Sequence, residues 1–222
     1  MTSPDSPHNE MNAIIHHGLR RDLDRMSTVL HDDMPTDQRL ALCDHIVWML
    51  DYLHQHHVGE DEGVWPLTLS KRPDLQPLMD EMETEHEALS ASSDGLRTSA
   101  NRYRTDGSDE ARQALAAAVQ QMKDTTLPHL DHEEQVAMPL ILEALDDDDW
   151  DYLEKNYFRK DVGLSQVGPM FAWLLDDLDP RRAAVVRTQL PRPLMWFMDR
   201  RYGGRYDSAA AQRWGDLAGT RA

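Results

Sequence analysis

The chain has 222 residues, enough for one domain with a substantial extension, and carries 23 basic against 40 acidic side chains, a net charge of −17. Such a surface repels nucleic acid and anionic membranes. The single cysteine, Cys43, excludes a disulfide framework and a Cys-rich zinc module. No apolar run approaches the roughly 20 residues that span a bilayer. The first residues lack the basic and apolar pattern of a secretory leader, so the expectation is a soluble cytoplasmic protein.

The first twelve residues are polar and read as disordered. From about Asn12 to Leu30, the apolar residues Ile15, Leu19, Leu23, Met26 and Leu30 recur at helical spacing. Pro35 punctuates the next stretch, and Leu40, Ile46, Val47, Leu50 and Leu53 sustain a second helix from Thr36 to the end of the fifties. Trp65-Pro66 and the KRPDLQP stretch read as the next connection. A third helix is expected from about Leu75 to Tyr103. A fourth runs from about Ser108 to Leu145, kinked at Pro128. Strand signals are poor. Four long amphipathic segments with short connections predict an all-α, up-down-up-down four-helix bundle over residues 10–148. After Asp146–Trp150 the texture changes to short helical pieces punctuated by Pro and Gly, and residues 149–222 read as an accessory helical region. Charge divides at a similar place: residues 160–222 are mildly basic and the remainder is strongly acidic.

Histidine is unevenly placed. All eleven lie between His8 and His132. Two segments share the pattern His-x-x-x-Glu-acid-x4-Pro-Leu, one from His56 through Glu60 to Leu67, the other from His129 through Glu133 to Leu140, 73 residues apart. An i,i+4 pair projects from one helical face, so each His and Glu can reach the same interior point. Imidazole with carboxylate suits iron, manganese or zinc. His57 with Asp61 offers a rival register in the first repeat, but Leu130 stands at the matching place in the second, which favours His56 and Glu60. One helix earlier in each half lies a further histidine. His16 shares its face with Leu19, Leu23, Met26 and Leu30, whereas His17 sides with Arg20, Arg21 and Asp24. His86 is the counterpart in the second half. The candidate metal ligands are therefore His16, His56, Glu60, His86, His129 and Glu133, enough donors for two ions bridged by the two glutamates.

Of the other histidines, His132 reads as a supporting or surface group, and His45 and His54 as residues of a polar face. Asp22, Asp51, Asp131 and Glu134 are candidates to orient the imidazoles. In the tail, Leu194, Trp196 and Phe197 accompany Arg192, Arg200 and Arg201. That combination reads as a helix docking its apolar side on the acidic body, or as a lid or homodimerisation element.

The ordered blocks H…HxxxE…H…HxxxE resemble the hemerythrin-like, HHE cation-binding domain family, over roughly residues 10–145. The resemblance implies an up-down four-helix bundle around a non-haem di-iron centre. His16 and His56 would serve one iron, His86 and His129 the other, with Glu60 and Glu133 bridging. One departure bears on activity. The oxygen-carrying members place two histidines a turn apart on the third helix, but here Met82 and Ser90 flank His86, and Glu83 is the candidate substitute. The second carboxylate is also Glu, where the carriers have Asp. The missing histidine implies redox chemistry with dioxygen, peroxide or nitric oxide, as a catalase-like or oxidase activity, over simple oxygen storage. The alternative is a metal-stabilised module that senses iron or oxygen without turnover.

Overall fold

The computed structural model describes the backbone of residues 7–160 and 163–221, and the side chains of these from residue 10 onward except 164 and 165. Residues 1–6 and the side chain of His8 lie outside the described residues. Among the described residues the chain is helical, with one isolated bridge pairing Asp176 and Arg221. No helix among them is long and apolar enough to cross a membrane.

Four long helices form a helical bundle: α1 (Pro7–Val29), α2 (Thr36–Gly59), and, after a short α3 (Trp65–Lys71), α4 (Gln76–Asp106) and α5 (Asp109–His132). Helix α5 packs on α4 and α1, and α4 packs on α2. The α4–α5 connection is only two residues. Gly107 takes a left-handed φ of 66° and returns its N–H to the Tyr103 carbonyl. Ser108 then caps α5 by accepting from the Ala111 N–H. Helix α1 begins earlier than its apolar spacing predicts. Residues 7–12 are helical rather than disordered, and Asn12 is buried.

The connection expected at Trp65-Pro66 is not a break. Helix α5 runs through Pro128 to His132, and Trp65-Pro66 continues a helical path rather than ending one. In both repeats the irregularity sits at the glutamate. A π turn spans Glu60–Val64 between α2 and α3, and another spans Glu133–Ala137 between α5 and α6 (Met138–Ala144). The shared proline accounts for both. In an α-helix a proline ring collides with the carbonyl four residues back and supplies no N–H to it. The wider turn relieves this: the Trp65 N–H bonds to Glu60 O and the Met138 N–H to Glu133 O, just before Pro66 and Pro139.

The core has two apolar layers. One holds Leu19, Leu23, Met26, Ile46, Leu50, Leu53, Leu89, Leu96, Val119 and Leu130 among others. The second, at the far end, holds Val64, Trp65, Met79, Met82, Ala137, Met138 and Ile141, and reaches Trp150 and Leu153 of α7 (Asp147–Leu153). Along α2, α4 and α5, the residues between the two layers are polar and buried: His56, Glu60, His86, His129 and Glu133.

The remaining helices are α8 (Leu164–Leu174), α9 (Pro180–Thr188), α10 (Arg192–Met198) and α11 (Gly204–Trp214). They share the first apolar layer through Phe171, Trp173, Leu174, Val186 and Trp214. A buried charged knot joins them to α1 and α2. Asp22, with no exposure, accepts from Arg21 Nε at 2.8 Å, His45 Nε2 at 2.6 Å and Trp173 Nε1 at 2.8 Å. Arg25 and Tyr206 meet on Asp176 at 2.6 and 2.8 Å. His45 therefore belongs to the interior and not to a polar face, while His54 is exposed. The tail docks by a different face from the one expected. Met195 and Met198 point inward, and Trp196 and Phe197 are 66% and 52% exposed.

Candidate metal centre

The polar layer gathers side chains from all four long helices. His16 comes from α1, His56 and His57 from the end of α2, His86 from α4 and His129 from α5, with Glu60 and Glu133 opening the two π turns. All seven are buried, none more than 8% exposed. Two groups form within which ligand atoms lie no more than 4.8 Å apart: His16, His56 and Glu133 in one, and His57, His86 and His129 in the other. Each glutamate spans both. Glu60 lies 3.2 Å from His56 Nε2 and 3.7 Å from His86 Nε2. Glu133 Oε2 lies 3.3 Å from His16 Nε2 and 3.7 Å from His129 Nε2.

The structure thus brings together the six residues singled out by the sequence and adds His57. Its ring stacks on His86 at a centroid distance of 4.1 Å and stands 5.4 Å from His129. Glu83, the substitute for the histidine missing beside His86, is exposed on α4 and stands outside both groups. The place beside His86 is taken from α2 instead.

The outer edge of the layer is made of carboxylates. Glu134 faces His16 Nδ1 at 2.8 Å, Asp61 faces His86 Nδ1 at 2.7 Å, and Glu85 faces His129 Nδ1 at 2.9 Å and His132 Nδ1 at 2.8 Å. A carboxylate on Nδ1 holds the proton there, fixes the ring and leaves the Nε2 lone pair directed inward. Of the four acids weighed for this role, only Glu134 performs it. Asp22 ties the accessory helices, Asp51 pairs with Arg97, and Asp131 pairs with Arg20. Asn12, one turn before His16, donates to Glu133 Oε1 at 2.7 Å and fixes that carboxylate. Asp61, Glu85 and Asn12 were not legible as partners, because their contacts cross between helices.

The electrostatics of the ion-free layer are strained. Burial pushes His56 down to about 3, with His16 adding to the effect. Burial and the neighbouring imidazoles hold His57 well below the usual histidine range. Burial acts the same way on His16, but Glu133 and Glu134 outweigh it and raise that imidazole to about 9. Burial and the charge of Glu133 push Glu60 well above the carboxylate range. The Nε2 atoms of His16, His56, His57, His86 and His129, and Oε2 of Glu60 and Glu133, are buried without a hydrogen-bond partner among the described residues. Unpaired buried polar atoms are costly and rare, and seven gathered in one layer call for shared partners. Neutral imidazoles and carboxylates are the donors that divalent first-row metals take, so these residues fit a metal pair.

Tyr52, one turn before His56, packs on Trp48 and Trp173 at centroid distances of 6.0 and 5.2 Å. Met26, Met49, Met82 and Met122 are fully buried core residues.

No curated protein and no solved structure matches the chain. The sequence model of the hemerythrin HHE cation binding domain does match, over residues 14–141, more than half of the chain and the whole of the polar layer from His16 to Glu133. The protein belongs to the hemerythrin HHE cation-binding domain family.

Proposed function

We propose that the chain holds two iron ions in its polar layer and binds dioxygen or a related small ligand, peroxide or nitric oxide, beside them. His16 and His56 would hold one ion, His57, His86 and His129 the other, and Glu60 and Glu133 would bridge. In this reading residues 10–148 are an up-down-up-down four-helix bundle carrying the centre, and 149–222 an accessory region. The observation that carries it is the convergence of seven buried donor atoms without partners. Membership of a cation-binding family points the same way. Manganese and zinc suit the same donors, and metal analysis distinguishes them.

When bound, the iron pair supplies one-electron steps between ferrous and ferric states. The chain's own part is to position and to exclude. Glu134, Asp61 and Glu85 retain the Nδ1 protons and aim the Nε2 atoms inward. Asn12 holds one oxygen of Glu133 so that the other faces the histidines. The two apolar layers exclude water from either side, which strengthens every charge interaction between them. The exposed Trp196 and Phe197 favour a second reading, in which metal stabilises a sensing module and the C-terminal region recruits a partner or a second copy.

The test is metal content together with the visible spectrum of the purified protein, before and after a small addition of peroxide. Two irons per chain with carboxylate- or oxo-bridged ferric bands is the expected result. A band that changes and recovers as peroxide disappears marks an oxidoreductase. A stable new band marks a ligand-binding protein or sensor. No metal after anaerobic ferrous loading refutes the proposal.

A further inference from the structure

The two repeats are matched in their donors but not in their outer surface. Gly59 and Gly63 of the first repeat correspond, 73 residues on, to His132 and Val136 of the second. Where the first repeat lacks side chains, the segment after α7 fills the space. A Cβ on Gly59 would stand 2.3 Å from Cε1, 2.6 Å from Cδ1 and 2.9 Å from Cζ of Phe158. A Cβ on Gly63 would stand 2.8 Å from Cγ of Tyr157. Both aromatics belong to a π turn, Glu154–Phe158, that continues α7. The Phe158 ring also lies against His56, with centroids 6.3 Å apart. Among the described residues the matching place in the second repeat is left open, and Val136 is 43% exposed.

Phe158 is half-buried, with its inner face on His56 and the Gly59 backbone. A phenyl ring offers a ligand no hydrogen bond, so its effect there is steric. We propose that Phe158, seated in the notch at Gly59, sets the size of ligand that reaches the His56 side of the centre, admitting dioxygen- or peroxide-sized molecules and excluding ring-sized organic ones. The proposal rests on the metal reading above and narrows its ligand class. The notch explains the glycine: any side chain at residue 59 would lift the ring. The same logic predicts what removing the ring admits, since an apolar void the size of a phenyl group binds benzene-like molecules.

The experiment uses the iron-loaded full chain as wild type, Phe158→Ala, Phe158→Leu and Gly59→Ala, with iron content measured first in each. Azide and phenol are titrated and followed by their ligand-to-iron absorption bands. Azide affinity is expected to stay within about threefold across the set, while phenol binds at least about tenfold more tightly to Phe158→Ala than to wild type. Gly59→Ala, which displaces the ring without removing it, shifts phenol affinity in the same direction, and Phe158→Leu falls between. A second readout uses the metal-free chain: carbethoxylation of His56 by diethyl pyrocarbonate, read by peptide mass, proceeds faster in Phe158→Ala and Gly59→Ala. Equal phenol affinity at full iron content, with equal carbethoxylation rates, overturns the role given to Phe158 and leaves the metal reading standing. A wild-type chain that takes up no iron overturns both, and the metal analysis tells the two failures apart.

Discussion

Removing metal from this protein should cost it a large part of its stability. Among the described residues, seven buried atoms of the polar layer have no hydrogen-bond partner. In the ion-free protein His16 and Glu133 satisfy one another in part, since the carboxylates raise the imidazole to about 9 and it carries a proton at neutral pH. Five atoms remain. At roughly 1–3 kcal/mol for each buried group left unpaired, they amount to about 5–15 kcal/mol. That is as large as the whole net stability of an ordinary domain, roughly 5–15 kcal/mol. Water entering the layer recovers part of it, so a loss of at least about 3 kcal/mol is the conservative expectation. For a chain of this length, each kcal/mol moves the melting temperature by roughly 2–4 °C, which gives a fall of about 6–12 °C. The assay is calorimetric melting of the metal-loaded protein against protein stripped with a strong chelator, with metal content measured on both samples. Adding back metal at rising concentration should restore the melting temperature progressively, as a ligand of the native state does. Melting curves that coincide within about 2 °C would mean that the donors already have partners when no ion is bound, and the reasoning would fail.

Three further outcomes are expected. His57→Ala should remove the ion held with His86 and His129 and spare the other, halving the metal content; two ions retained at full affinity would return His57 to a packing role. Glu85→Gln should weaken metal affinity by about 10–100-fold, measured by chelator competition, because the charged acceptor that His129 and His132 share becomes a neutral amide with a single acceptor oxygen. Asp22→Asn should destabilise the fold by about 3–5 kcal/mol, since one buried charge accepts from Arg21, His45 and Trp173. Although burial opposes the charge, the Arg21 and His45 partners hold Asp22 well below the carboxylate range. A pKa lower in the folded state than in the unfolded one gives stability that is complete above about pH 4 and is lost as pH falls further. The gap between wild type and Asp22→Asn in urea melts should therefore narrow from about pH 6 to about pH 2.5, and a gap that stays constant would show that the charge is not the cause.

The long helices were legible because their apolar residues repeat at helical spacing, and Pro35 marks the start of α2. The six residues expected to meet in the polar layer were legible because the repeat singles out two His–Glu pairs, helical phase selects His16, and His86 is its counterpart in the second half. His57 was not, for a physical reason. Comparing two repeats keeps what they share, and the second repeat has Leu130 at the matching place. The repeat comparison that revealed His56 hid its neighbour. Glu83 failed in the opposite way: one turn from His86 along the sequence, it lies on the exposed face of α4. Asn12 was lost because a polar start reads as disorder until Glu133, on another helix, gives its amide a partner. Trp196 and Phe197 were expected inward on hydrophobicity alone, but the helix presents Met195 and Met198 to the core instead. In each case the deciding contact is between segments far apart in the chain.

The two π turns have a consequence for how this protein can change. Each stretches one helical turn just past a glutamate donor, so the helix before it and the helix after it no longer share a rotational phase. A regular helix advances about 100° per residue, so a helix that turns Glu60 to the polar layer would carry Trp65 well off that face and away from the second apolar layer. The wider turn lets one continuous rod serve both faces. Returning either turn to α-helical hydrogen bonding with no residue removed would make the helix more regular, yet it would rotate everything beyond the turn by about 100° and swing the far layer out of register with the polar layer. The irregular turns therefore act as phase adjusters: the donors and the plug beneath them can be tuned separately, as long as neither turn relaxes into an ordinary helix.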